Sequence, residues 1–424
     1  MNIHIQGGRL IDPANAIDGL FDLYLQDGCV AAVGQMPAGF VADKTLDATG
    51  QVVCPGLIDL QAFLAEPGYT QKGNIASETA AAAAGGVTSL CCSPVTLPVL
   101  DSPAVVRLIG DRSAESGHAR VLPLGALTKG LDGEQLSNMV GLRDAGCVAL
   151  TNAGFGITSS QTLLRCLEYA ATHDLLVFVR ANEPVLGAGC AHDGAMAMRL
   201  GLEGIPRVAE TLEVSRYLLL AEQTGTRLHF GQLSCERSIE LIEQARERGQ
   251  VVSADVAVHQ LLLDDSCLEG FDGRFHLRPP LRCESERAGL RAGLVRGGLN
   301  ALSSDHQPQD AAAKAAPFSV TEPGMIGLQT LLPLGLQLVE QQLLELSQLV
   351  ALLTEKPARI LGLHSGQLAV GAVADICIFD PQQQWTLDDD SNCSLSHNTP
   401  YWQQQLTGRV SHTLLAGELS YSRG

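Results

Sequence analysis

The sequence predicts an α/β protein: a (β/α)8 barrel of the TIM type with a small composite β domain assembled from both chain ends. Three observations lead there. Along the middle of the chain, short apolar runs alternate with amphipathic helical patterns, the rhythm of a parallel sheet whose strands return through helices. Similar β-rich segments bracket that middle at both termini. The length of 424 residues accommodates one barrel of about 250 residues with insertions plus a satellite domain. The expected boundaries are 1–50 with 365–424 for the composite β-sandwich domain and 51–364 for the barrel.

The N-terminal strands are read from Met1 to Gly8, which alternates apolar and polar residues, and from Gly8–Pro13, Phe21–Leu25 and Val30–Gly34. In the barrel, the strand candidates include Val87–Cys91, Val148–Leu150, Leu175–Val179, Arg227–Phe230 and Val251–Ala254. Ala80–Gly86 reads as the end of an Ala-rich helix closing on Gly-Gly. Leu212–Glu222 and Ser238–Arg248 read as helices, the second setting Ile239, Leu241, Ile242 and Ala245 largely on one face. Gly366–Gly371, Ala374–Phe379 and Arg409–Leu415 read as the closing strands.

Composition excludes several classes of function. A hydrophobic fraction of 46% with 17% charged residues belongs to a globular chain. A net charge of -18 without a basic patch argues against nucleic acid and anionic membranes, since no cluster of cations is available to release counterions. The start lacks the charged and apolar regions of a signal peptide. The apolar stretch Leu328–Leu338 is broken by Gln329, Pro333, Gly335 and Gln337, too interrupted to span a bilayer, so the expected location is the cytoplasm. Twelve cysteines run from Cys29 to Cys393 with no Cys-x-x-Cys pair. Cys54, Cys147 and Cys377 sit in apolar runs as small hydrophobes. Vicinal Cys91-Cys92 is either redox-active or, the favoured reading, two strand residues on opposite faces.

No phosphate-binding glycine loop or Gly-x-Ser-x-Gly elbow occurs, and Gly154-Phe155-Gly156 is only a loop. The chemistry-bearing words are elsewhere. Cys54-Pro55-Gly56-Leu57-Ile58-Asp59-Leu60 leads into Gln61-Ala62-Phe63. Further on come Glu66-Pro67-Gly68, Ser93-Pro94-Val95-Thr96, Gly146–Thr151, Arg278-Pro279-Pro280-Leu281-Arg282, Ser304-Asp305-His306-Gln307-Pro308, Gly324–Thr330, Glu355–Ile360 and Ala374–Asp380. Together, and in this order over essentially the whole chain, they resemble the dihydroorotase branch of the amidohydrolase superfamily.

That resemblance implies a composite β domain flanking the barrel and a metal site built on a His-x-His at the end of the first strand. Residues two apart on a strand share a face, so such a pair aims two imidazoles at one ion. Here Gln61 and Phe63 hold those two positions. The acidic ligand expected in the turn after the fourth strand falls on Asn152, followed by Ala153. The histidines expected after the fifth and sixth strands fall on Ala181 and Gln232, and only the last-strand carboxylate, Asp305, matches. An amide is a poor zinc ligand, and a phenyl ring or a methyl group is none. The family's substrate contacts fall on Ala65, Val95 and Arg278, and its final histidine on Gln309. No metal or other cofactor is therefore expected.

Other histidines do not rebuild the set. His229 lies an odd three residues before Gln232, which puts it on the opposite face of a regular strand, and His306 next to Asp305 is expected to point away. His259 matches a histidine that the family also carries. Asp59 and Asp305 form an imaginable acid–base pair whose meeting one sequence does not establish. The stretch Gln307–Pro323 corresponds to the family's lid over the site. It reads as disordered, recruited by a partner, or a surface loop without a role.

The resemblance is to the non-catalytic dihydroorotase-like chains that some bacteria pair with aspartate carbamoyltransferase, the preceding enzyme of pyrimidine synthesis. It implies a catalytically inactive structural subunit whose partner is the aspartate carbamoyltransferase catalytic chain, with Phe63 as a buried aromatic contributing to the core. Two alternatives stay open. One is an active cyclic-amide hydrolase of dihydroorotase, hydantoinase or allantoinase type with an unusual or metal-free site. The other is a protein that binds a pyrimidine precursor without converting it.

Overall fold

The computed structural model describes residues 1–423. Both chain ends build the β domain as two sheets. One has the order Cys29–Val33, Leu23–Gln26, Ile3–Gln6, Lys44–Asp47; the other runs Glu418–Ser422, Gln405–Leu415, Ile376–Thr386, Val52–Pro55, Arg9–Asp12, Ile17–Leu20. Alternation decides which side chains fill the space between them. Ile3 and Ile5 are buried while Gln6 is exposed, and they meet Leu10, Leu25, Val53, Ile376 and Leu414 in one apolar cluster. Val52–Pro55 pairs inside this domain with Arg9–Asp12 and Ile376–Thr386. Gly366–Gly371, predicted as a strand, is a loop: Gly366 and Gly371 take φ +77° and +88°, which no strand continues through.

Eight strands, each parallel to its neighbour, form the barrel in chain order: Leu57–Ala62, Val87–Cys92, Arg120–Ala126, Ala149–Thr151, Val177–Val179, Leu228–Phe230, Val252–Ala257 and Ala301–Ser303. A parallel bridge between Ala62 and His306 draws the last strand's end toward the first, with the Phe63 amide donating to the His306 carbonyl at 2.8 Å. The predicted strands fall within a few residues of those observed. Arg120–Ala126, interrupted by Pro123 and Gly125, and the three-residue Ala301–Ser303 were not singled out by their pattern. Both helix candidates lie in longer or closely overlapping helices, Val208–Thr224 and Glu236–Glu247.

The barrel is filled rather than hollow. Ile58, Leu60, Leu122, Leu124, Leu176 and Phe178 pack in its interior. Cys91 joins that interior cluster while Cys92 joins the outer one against the helices, and both thiols are free. No helix among the described residues is long and apolar enough to cross a membrane.

The helix Ile75–Ala84, capped by Asn74 through a reciprocal capping box, carries a buried carboxylate into the joint between barrel and C-terminal segment. Glu78 lies 2.8 Å from His306 Nε2, and it accepts from the Ser394 hydroxyl at 2.6 Å and the Leu395 amide at 3.2 Å. Removing the carboxylate strands three donors in the core. Glu78→Ala is expected to lower stability by about 3–5 kcal/mol, read as a shift in urea midpoint, and Glu78→Gln to recover part of it.

Candidate functional site

The C-terminal ends of the barrel strands surround a cavity of about 530 Å³. Its floor comes from the ends of the first, fifth, sixth and eighth strands, the place where a barrel of this kind builds sites from its loops.

Local backbone irregularities aim the floor residues. Ile58 and Leu60 face the interior, so regular alternation would turn Gln61 outward with Asp59. A register irregularity between Asp59 and Ala62 shifts the phase: Ala62 joins the outer core, and Gln61 and Phe63 line the cavity. Gln232 and Asp305 sit in the left-handed region at φ +58° and +46°. That backbone carries both inward, where the Gln232 amide nitrogen donates to Asp305 Oδ1. Gln307 Nε2 donates to the same oxygen at 2.6 Å.

The position of His229 differs from the expectation. The sixth strand ends at Phe230, so the odd spacing to Gln232 does not separate their faces. His229 points into the barrel below Gln232, its ring 4.5 Å from that of Phe178 and its Nε2 2.8 Å from Asp255. Asp255 also accepts the Gln232 amide and the Ser303 hydroxyl, so His229 belongs to a closed polar layer under the floor. His306 points away onto Glu78, and His259 is buried outside the cavity, with burial pushing its imidazole down to about 4.

Other candidates scatter. Asn152 accepts from the Thr128 hydroxyl at 2.8 Å and donates to the Phe155 carbonyl at 2.8 Å, bracing a loop rather than lining the main cavity. Ala65 is buried at φ +59° and also lies outside it, whereas Val95, Ala181, Arg278 and Gln309 line it. Asp59 is occupied elsewhere, accepting the Ser304 amide at 2.9 Å and its hydroxyl, so it does not pair with Asp305 across the cavity. Phe63 is only partly buried: it tilts onto Tyr69 at 6.0 Å as part of the cavity wall, not of the core.

Gln307–Pro323 is a packed cover rather than a disordered stretch. Phe318 is buried 5.1 Å from the His276 ring, and Lys314 Nζ donates to the carbonyls of Gly273, His276 and Glu322. The Gly273 and His276 carbonyls tie the segment to the preceding loop, and the Glu322 carbonyl ties it to itself.

The residues at the floor do not fit a catalytic zinc. Such a site takes at least three nitrogen, oxygen or sulfur ligands. Phe63 and Ala181 offer no donor atom, Gln61 and Gln232 only amides, and the one carboxylate already accepts two amide N–H groups. Among the described residues no group of three or more His, Cys, Asp or Glu is placed to hold a metal.

Burial raises the Asp305 carboxyl from 3.8 to about 7, against the opposing charge of Arg180. A folded value above the unfolded one means that the group's contribution is full below about pH 4 and is lost as pH rises through about 7, where a charge must be buried. Asn at this position keeps an oxygen for both amide donors. Asp305→Asn is thus expected to match the wild type below about pH 4 and to exceed its stability at about pH 8.5 by on the order of 1–4 kcal/mol, less whatever Arg180 loses. Paired urea titrations check this. A variant less stable than the wild type at the higher pH contradicts it.

The sequence reading did not single out Arg180, Arg282, Lys72 or Tyr69, all of which line the cavity. The available signal was Arg180 itself, a cation standing directly before Ala181.

The comparisons agree with this architecture. The Dihydro-orotase-like family matches residues 50–238 and the Amidohydrolase family residues 336–421. Dihydroorotase-like protein of Pseudomonas aeruginosa is 51% identical over 99% of this chain and 100% of its own. Dihydroorotase of Syntrophotalea carbinolica is 41% identical over 99% of each. L-hydantoinase from Arthrobacter aurescens superposes with a TM-score of 0.89 at 24% identity, covering 100% of this chain and 96% of that one, a likeness of fold. With a relative this similar along its full length, the chain belongs to the dihydroorotase-like amidohydrolase family.

Proposed function

We propose that this chain is a catalytically inactive dihydroorotase homologue serving as a structural, non-catalytic subunit of an aspartate carbamoyltransferase complex in pyrimidine biosynthesis. The observation that carries the reading is the cavity lining: Gln61, Phe63, Ala181 and Gln232 share it, with Gln232 donating to the buried Asp305, in an eight-stranded barrel. A chain that keeps its barrel without the donors for hydrolysis is suited to a role in its surface. The partner comes from the sequence resemblance to non-catalytic chains of such complexes. Light scattering of this chain mixed with aspartate carbamoyltransferase catalytic chains of the same organism tests it, and a discrete complex containing both is expected.

A second reading, an active cyclic-amide hydrolase with an unusual site, is favoured by relatives named dihydroorotase at 41% identity. It requires turnover of a cyclic amide with only Asp305 as base. A substrate screen of the purified chain separates the two readings.

A further inference from the structure

The cavity collects cations that stand in no salt bridge. Arg180, Arg278, Arg282 and Lys72 all line it, and among the described residues none of the four is ion-paired with a carboxylate. On a chain of net charge -18, four unpaired cations around one cavity run against the overall balance.

Each guanidinium is held by neutral groups. Arg282, 3% exposed, donates from Nε to Ser234 Oγ at 3.0 Å and from Nη1 to the Ile205 carbonyl at 2.5 Å. Its Nη2 has no protein acceptor among the described residues. Arg180 donates to the Arg278 carbonyl, and Arg278 reaches the Gly189 carbonyl at 3.2 Å while its buried Nε has no acceptor. Burial and then the neighbouring Arg278 disfavour the Arg180 charge, while the buried Asp305 favours it without reaching a salt bridge. Two neighbouring guanidiniums, with unused donors and no carboxylate at salt-bridge distance, are a fork awaiting planar anionic oxygens.

The acids nearby do not fill that role. Glu210 accepts from the Ser234 amide and hydroxyl, the Cys235 amide and the Ser238 hydroxyl, so both its oxygens are occupied beyond Ser234. Asp305 Oδ1 is taken by two amides, and Glu322 stands exposed at the rim. Phe63, Tyr69 and Phe155 supply an apolar wall opposite the cations.

We infer that this cavity is a binding site for a small organic dianion, a dicarboxylate or a phosphate monoester on a compact apolar body, held by Arg180, Arg278 and Arg282. Arg278 is the one member at a position that the family resemblance assigns to substrate, and there a cation stands in place of an amide. The inference goes beyond the subunit role and does not depend on it.

Calorimetric titration of the full chain with phenyl phosphate and with phthalate, in buffer free of other polyvalent anions, tests it. Saturable one-to-one binding of either probe at concentrations up to about 10 mM is expected, weakening with added salt. Binding of one probe alone assigns the ligand to phosphate esters or to dicarboxylates, and binding of both supports the shared dianion chemistry. Arg278→Met, at a half-buried position, is expected to weaken binding at least about tenfold. A second measurement on the wild type needs no folded variant: phenylglyoxal labelling followed by mass spectrometry, with the bound probe protecting Arg180 and Arg278. No saturable binding of either probe, or binding that leaves these arginines unprotected and survives Arg278→Met, overturns the inference.

Discussion

Purified protein supplied with zinc is expected to give no dihydroorotase or hydantoinase turnover above buffer containing the same zinc. Magnitude sets that expectation. A catalytic zinc lowers the pKa of its water from about 15.7 to about 7. Losing it makes hydroxide scarcer by about eight powers of ten, on the order of 12 kcal/mol at 1.36 per tenfold. Asp305 as a general base recovers about two to four powers of ten at best, and it is buried with its Oδ1 held by Gln232 and Gln307. At least four powers of ten remain missing. Turnover proportional to protein concentration, retained through successive columns and abolished by chelation, overturns the inactive reading and favours the hydrolase.

The second large expected effect is association. Mixed with aspartate carbamoyltransferase catalytic chains, this protein is expected to elute as one species whose scattering mass exceeds that of either component and stays constant across the peak. A stable interface of this kind buries at least about 1,200 Å², and association stabilises both partners by mass action. The thermal midpoint of the mixture should therefore rise with concentration, while that of this chain alone does not. Separate peaks at micromolar concentration, each with its own mass, remove the partner from the proposal and leave the inactive reading to the turnover assay. The two experiments fail independently.

Local pattern carried much of the architecture. Ile3 and Ile5 against Gln6, or Ile239 and Ile242 on one face, are periods that follow from strand and helix geometry before any contact forms. Pattern failed where local and long-range terms disagree. Arg120–Ala126 contains Pro123 and Gly125, both poor strand residues, yet it pairs on both sides because flanking strands supply the ladder. Gly366–Gly371 alternates like a strand, but two of its glycines take positive φ.

At the site the division is sharper. The order of motifs along the chain placed Gln61, Phe63, Asn152, Ala181, Gln232 and Asp305 by itself at the positions where the resemblance expects a ligand set, three amides and one carboxylate among them. Where those groups point was decided only in three dimensions. The phase shift after Asp59 and the left-handed backbone at Gln232 and Asp305 arise where strand ends meet across the closing barrel, as when Asp59 accepts from Ser304. The gathering of Arg180, Arg278 and Arg282 around one cavity was likewise invisible in sequence. Alternation encodes which face of a strand a residue takes, but convergence of loops from separate strands depends on closure of the whole sheet, a property no window of the chain contains.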